Sequence, residues 1–135
     1  MRRYYGKRYS SGNAWVDWTF RRFIEVLSVV EIKIKKRLKN PEDPKKEIIR
    51  GLWDPDIHTI FLNHSKTMHE TPEELLETLC HEILHSITGT PPFKYCTHKS
   101  IYRAERALVQ SFSTRQKKIL MRFIPKEEEK LSPAD

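Results

Sequence analysis

The stretch from Thr71 to Gly89 constrains this chain more than any other. Thr71-Pro72-Glu73-Glu74 carries three helix-start signals: an N-cap threonine, a proline in the first turn and a glutamate at the capping-box position. The stop is as clear, with Gly89 followed by Pro91 and Pro92. Between them Leu75, Leu76, Leu79, Cys80, Ile83 and Ile87 make one apolar side, while Glu74, Glu77, His81 and His85 fall on the other. Whatever the fold, it must bury one side of this helix and leave a polar side to be used.

That polar side holds His81-Glu82-Ile83-Leu84-His85, an H-E-x-x-H pattern. Residues four apart stand one above the other on a helix, so both imidazoles reach one metal ion. Zinc is the usual guest for neutral imidazole nitrogens. Glu82 lies beside that face, where it serves as a base without being a ligand. Chance placement of two histidines predicts a solvated pair instead. The capped helix and the opposite apolar stripe argue against that.

A catalytic zinc site needs a third protein ligand and one open position. The metzincin extension is absent, because Thr88 and Pro91 stand where glycine and a third histidine belong. Glu105 is the only acidic residue between Glu82 and Glu127. It reads either as the third ligand or as a salt-bridge partner of Arg22, Arg103 or Arg106. His98 is the competing ligand. Cys80, on the apolar side, reads as a small core residue, and His58, His64 and His69 as rim or surface residues.

The formal charge of +7 over 135 residues suggests a nucleic-acid partner until it is divided along the chain. Residues 1–45 carry 12 basic and 5 acidic side chains, whereas residues 46–98 carry 4 and 8. The helix with the histidines thus lies in an acidic middle, which suits a cation better than a phosphate. No apolar run approaches the length of a membrane span, and two cysteines are too few for a disulfide scaffold. The expectation is a cytoplasmic, reducing setting with no membrane contact.

The remaining patterns predict an α+β single domain. Residues 1–12 read as a basic aromatic arm, 13–124 as the catalytic domain and 125–135 as a charged tail. Trp15, Trp18, Phe20, Phe23, Ile24 and Leu27 predict a helix capped by Asn13. Val30–Lys35 alternates apolar with charged, which is the period of a strand. Residues 47–62 predict a hairpin turning at Asp54-Pro55-Asp56, and residues 100–114 another helix, continuing over 116–124.

His81-Glu82-x-x-His85 followed by Glu105 resembles the gluzincin clan of zinc peptidases. Gly51-Leu52-Trp53-Asp54-Pro55 and His58-Thr59-Ile60-Phe61-Leu62-Asn63 resemble the strand pair before the active-site helix in minigluzincins and in SprT-like and ImmA/IrrE-like zincins. The likeness spans roughly residues 28–112. It implies a minimal zincin-like domain with an N-terminal helix, a small three-stranded sheet, an active-site helix and a glutamate-bearing helix. It also implies a zinc-dependent endopeptidase acting on a peptide or protein. His81, His85 and Glu105 would hold Zn2+, and Glu82 would be the base and later the acid. His58–Leu62 would be the rim on which a peptide pairs. Tyr102 or His98 would stabilise the oxyanion. Latency, through a flanking segment such as 125–135 or through self-association, is expected of so small a peptidase. The chain departs from larger gluzincins in lacking a C-terminal subdomain, and from SprT-like proteins where a third histidine is expected, unless His98 serves.

Two other classes compete. One is a nucleic-acid-associated zinc protein using the arm 2–9 and Lys33–Lys39, although lysines alternating with isoleucines read more simply as a wet strand face. The other is a non-catalytic metal module.

Overall fold

Asn13 opens the first helix, α1 (Ala14–Leu27), by accepting hydrogen bonds from the backbone N–H groups of Trp15 and Val16 at 2.9 and 3.2 Å. These are donors that a helix start otherwise leaves without partners. The computed structural model describes residues 4–40, 48–88 and 98–126, with backbone alone for 98–102. The buried stripe of α1 is Val16, Phe20, Phe23 and Leu27. The expectation that Trp15 and Trp18 belong to it is corrected, since they are 79% and 51% exposed. At about 100° per residue they fall beside the 16-20-23-27 line. Trp18 instead receives the Arg22 guanidinium, 5.5 Å from its ring centre.

Three strands follow: β1 (Glu31–Lys35), β2 (Gly51–Asp54) and β3 (Thr59–Asn63). β2 and β3 form the expected antiparallel hairpin. β1 pairs parallel to β3, with Ile32 beside Ile60 and Ile34 beside Leu62, so the sheet order is β1-β3-β2. Between β1 and β2, Lys39 forms an isolated antiparallel bridge with Ile48. β3 is therefore the central strand, and the expectation that His58–Leu62 forms a peptide-pairing rim is corrected. Its backbone is already committed on both sides, and β2 is the edge strand nearest the histidine helix.

That helix, α2 (Pro72–Thr88), has the predicted capping box. The Glu74 N–H donates to Thr71 Oγ1 at 3.2 Å, and Glu74 Oε2 accepts from the Thr71 and Glu70 N–H groups. It packs on β2 and β3 through Leu76, Leu79, Cys80 and Ile83, all essentially buried. Cys80 is a core residue, as expected, and burial pushes its thiol pKa far up.

α3 (His98–Ser111) packs along α2. The expected continuation of helix over 116–124 is corrected. The chain breaks near Ser113, and a separate α4 (Thr114–Met121) starts there. Ser113 and Gln116 form a reciprocal capping box, each side chain taking the other's backbone N–H at 3.1 and 3.0 Å.

The N-terminal residues also differ from the arm read in the sequence. Tyr4 meets Phe20 edge-on at 5.9 Å, and the buried Gln116 amide donates to the Tyr9 carbonyl at 2.7 Å. Among the described residues, four α-helices and a small mixed sheet make a small α+β domain. Among the described residues no helix is long and apolar enough to cross a membrane.

Candidate metal centre

His81 and His85 stand one turn apart on α2, and their Nε2 atoms converge to 2.9 Å. Two imidazoles on a tetrahedral ion at about 2.0–2.1 Å each would bring their nitrogens roughly 3.3 Å apart. The pair is thus preset to within a few tenths of an ångström. His81, Glu82 and His85 each offer a ligating atom within 4.8 Å of the others. His81 is 8% exposed and His85 half-buried, so only one of the two imidazoles is open to solvent to any extent.

Glu105, on α3, meets His81 from its other ring nitrogen and is not one of the three residues whose ligating atoms converge. Its carboxylate is 8% exposed and lies 3.0 Å from Nδ1 of His81. A carboxylate behind a histidine is a common way of fixing which ring nitrogen faces a metal. Of the two roles read from sequence, the structure draws neither an arginine bridge nor a finished ligand. It draws a buried carboxylate against one of the two histidines.

Glu82 owes its position to Gly51. A Cβ at Gly51 would come within 2.8 Å of Thr78 Cγ2 and 3.1 Å of Glu82 Cγ. Only a residue without a side chain lets β2 approach α2 this closely. Burial raises the Glu82 pKa to about 7; neighbouring His81 opposes the shift and Glu105 adds to it. Glu77 is raised as well, first by burial, with Arg106 opposing and Glu105 reinforcing.

One residue missed in the sequence locks this arrangement. His69, expected at the rim or surface, is buried. Its Nδ1 donates to the Asn63 carbonyl at 2.8 Å, and its Nε2 meets Thr78 Oγ1 at 2.7 Å. It ties the end of β3 to the α2 residue that packs on Gly51. Burial, with Arg50 adding to it, lowers the His69 pKa. No local signal separated His69 from His64, which is only half-buried. His58 lies at the hairpin turn with φ of +48° and meets Trp53 edge-on at 5.6 Å.

His81, His85, Glu77, Glu82 and Glu105 border a cleft of about 830 Å³. Gly51, Leu52 and Trp53 of β2 line one side, and Glu77, His81, Glu82 and His85 of α2 line another. Two convergent imidazoles and nearby buried carboxylates are the donor set that suits zinc. α3 runs unbroken from His98 past Tyr102 to Glu105, but the side chains of His98 and Tyr102 lie outside the described residues, as do Tyr95, Cys96 and the tail 127–135. Comparison with protein-family models, curated proteins and solved structures found no match to this chain.

Proposed function

We propose that this chain is a zinc-dependent peptidase of the gluzincin type. The observation that supports this most is the convergence of His81 and His85 at 2.9 Å beside a buried Glu82, on a cleft walled by an edge strand. His81 and His85 would hold the ion, with Glu105 as third donor. Bound zinc supplies a Lewis acid that polarises a carbonyl and makes water nucleophilic near neutral pH. Glu82 takes a proton from the attacking water and delivers it to the departing amine nitrogen, a two-way task that suits a carboxyl titrating near neutrality. The outer edge of β2 offers N–H and C=O groups on which an extended substrate backbone can pair. A peptide or protein is accordingly the substrate class, and the cytoplasm, in keeping with the free thiol of Cys80, the compartment.

The contact of Glu105 with His81 Nδ1 favours a second role for that one residue, orienting His81 from behind. Glu105→Ala separates the two. An orienting role predicts a loss of zinc affinity of about 10–100-fold, and a ligand role a larger loss.

The test of the function is Glu82→Gln. Loss of peptide hydrolysis with zinc retained supports the peptidase. Equal behaviour of both forms, with zinc bound and no peptide cleaved, leaves a non-catalytic metal module.

A further inference from the structure

A second cavity, of about 650 Å³, adjoins the cleft. Lys36, Arg37, His64 and Lys66 line it together with Ser65 and Thr67, and among the described residues no carboxylate does. Ile48 and Met68 line both spaces, so the two meet at one pair of apolar side chains. Charge is therefore graded along the combined surface. Glu77, Glu82 and Glu105 line the cleft with the histidines and Arg50, and three further cations line the space beyond Ile48.

The basic compartment has a defined backbone. The His64 N–H donates to the Lys35 carbonyl at 2.9 Å, the Ser65 N–H to Asn63 Oδ1 at 2.9 Å, and the Ser65 and Thr67 hydroxyls meet at 2.7 Å. These bonds fix the loop that presents His64 and Lys66. On the other side, residues 48–50 lead directly into β2, and Asn63 Nδ2 donates to the Ile49 carbonyl at 3.0 Å. The two spaces meet at Ile48 and Met68, so a chain lying in the cleft along β2 and continued past those two residues enters the space lined by Lys36, Arg37 and Lys66.

We propose that this compartment is a substrate subsite that takes a carboxylate at one end of an extended peptide, from an acidic side chain or from the chain terminus. This rests on the peptidase reading for its substrate class. A polyanion such as nucleic acid fits less well, because the adjoining cleft carries three carboxylates. A single carboxylate held beyond Ile48 leaves the backbone before it along β2, towards the histidines.

Binding to the full-length Glu82→Gln chain, read by fluorescence anisotropy, tests the subsite without turnover. Three labelled ten-residue peptides share one neutral extended sequence. The first has two terminal glutamates and an amidated end, the second glutamines and an amidated end, and the third glutamines and a free carboxylate. At low salt the first or the third binds about tenfold more tightly than the second, and the preference shrinks as salt screens it. Which of the two gains identifies the source of the carboxylate. The preference disappears when Lys36→Gln, Arg37→Gln and Lys66→Gln are combined, and falls part way with Lys66→Gln alone, with thermal melts confirming that both variants fold. Equal binding of all three peptides, or a preference that survives the triple change, overturns the subsite. Hydrolysis by the unmodified chain separates this from the peptidase reading. Cleavage of all three without preference overturns the subsite alone, and a lost preference in the variants with no cleavage of any peptide overturns the peptidase alone.

Discussion

A partly exposed polar cluster at the N-terminal seam and the polar cluster on α2 are built in opposite ways. Where the N-terminal residues meet α1 and α4, the Asp17 carboxylate accepts from the Ser10 hydroxyl, the Ser11 N–H and the Gln116 amide at 2.7–2.8 Å. Burial opposes its charge, yet these donors outweigh burial and hold its pKa at about 2. On α2, burial and the nearby Glu105 push Glu82 up to about 7. The same chemical group is matched in one place and left poorly matched in the other. A matched carboxylate stabilises a fold, whereas a poorly matched one bordering a cleft is ready to exchange a proton.

Glu82→Gln should break the comparison most. Hydrolysis falls by at least about 100-fold, as expected for the loss of a positioned acid–base group, and the melting temperature does not drop. Activity assays alongside calorimetry check both halves.

Gln116→Ala should show the reverse. It removes a buried amide that serves Tyr9, Asp17 and the cap of α4 at once. Stability falls by about 2–4 kcal/mol in urea unfolding, while activity per folded molecule stays unchanged.

Gly51→Ala lies between the two clusters in kind. Its new Cβ must displace Thr78 or Glu82, so about 1–3 kcal/mol of stability and part of the activity are lost together.

The smallest effect is on acid stability. An unfolded aspartate titrates near 3.9, and folded Asp17 near 2. Its contribution is complete above about pH 4 and is lost as pH falls from there through about 2. Asp17→Asn should remove that portion of the acid limb, which unfolding measured across pH 2–5 will show.

The two clusters also differ in how far the sequence disclosed them. Asn13, Thr71, Glu74 and the H-E-x-x-H spacing are local signals, set within one turn of helix, and each fell where it was expected. The partner strand of β1, by contrast, is decided by contacts across the chain, so alternation in residues 30–35 revealed a strand but not its neighbour. Gln116 carried no signal of its burial in the sequence, because its partners lie about a hundred positions away. His69 has the same histidine chemistry as His64, and only the closing of β3 against α2 distinguishes them. Gly51 stood in the sequence only as part of a strand motif, and nothing local said that β2 approaches α2 there. Trp15 and Trp18 misled because periodicity counts apolar residues without asking which line of them meets the core. Ser113-x-x-Gln116 is a local capping pattern, but the expected helix over 100–114 ran past it without using it.

The central claim is that His81 and His85 hold a cation for Glu82 to work beside. Zinc titration of the full chain against a chromophoric competitor tests it most directly. One tightly bound zinc per chain is expected, abolished in His81→Ala and in His85→Ala and retained in Glu82→Gln. Binding that is not stoichiometric, or that survives loss of either histidine, would contradict it.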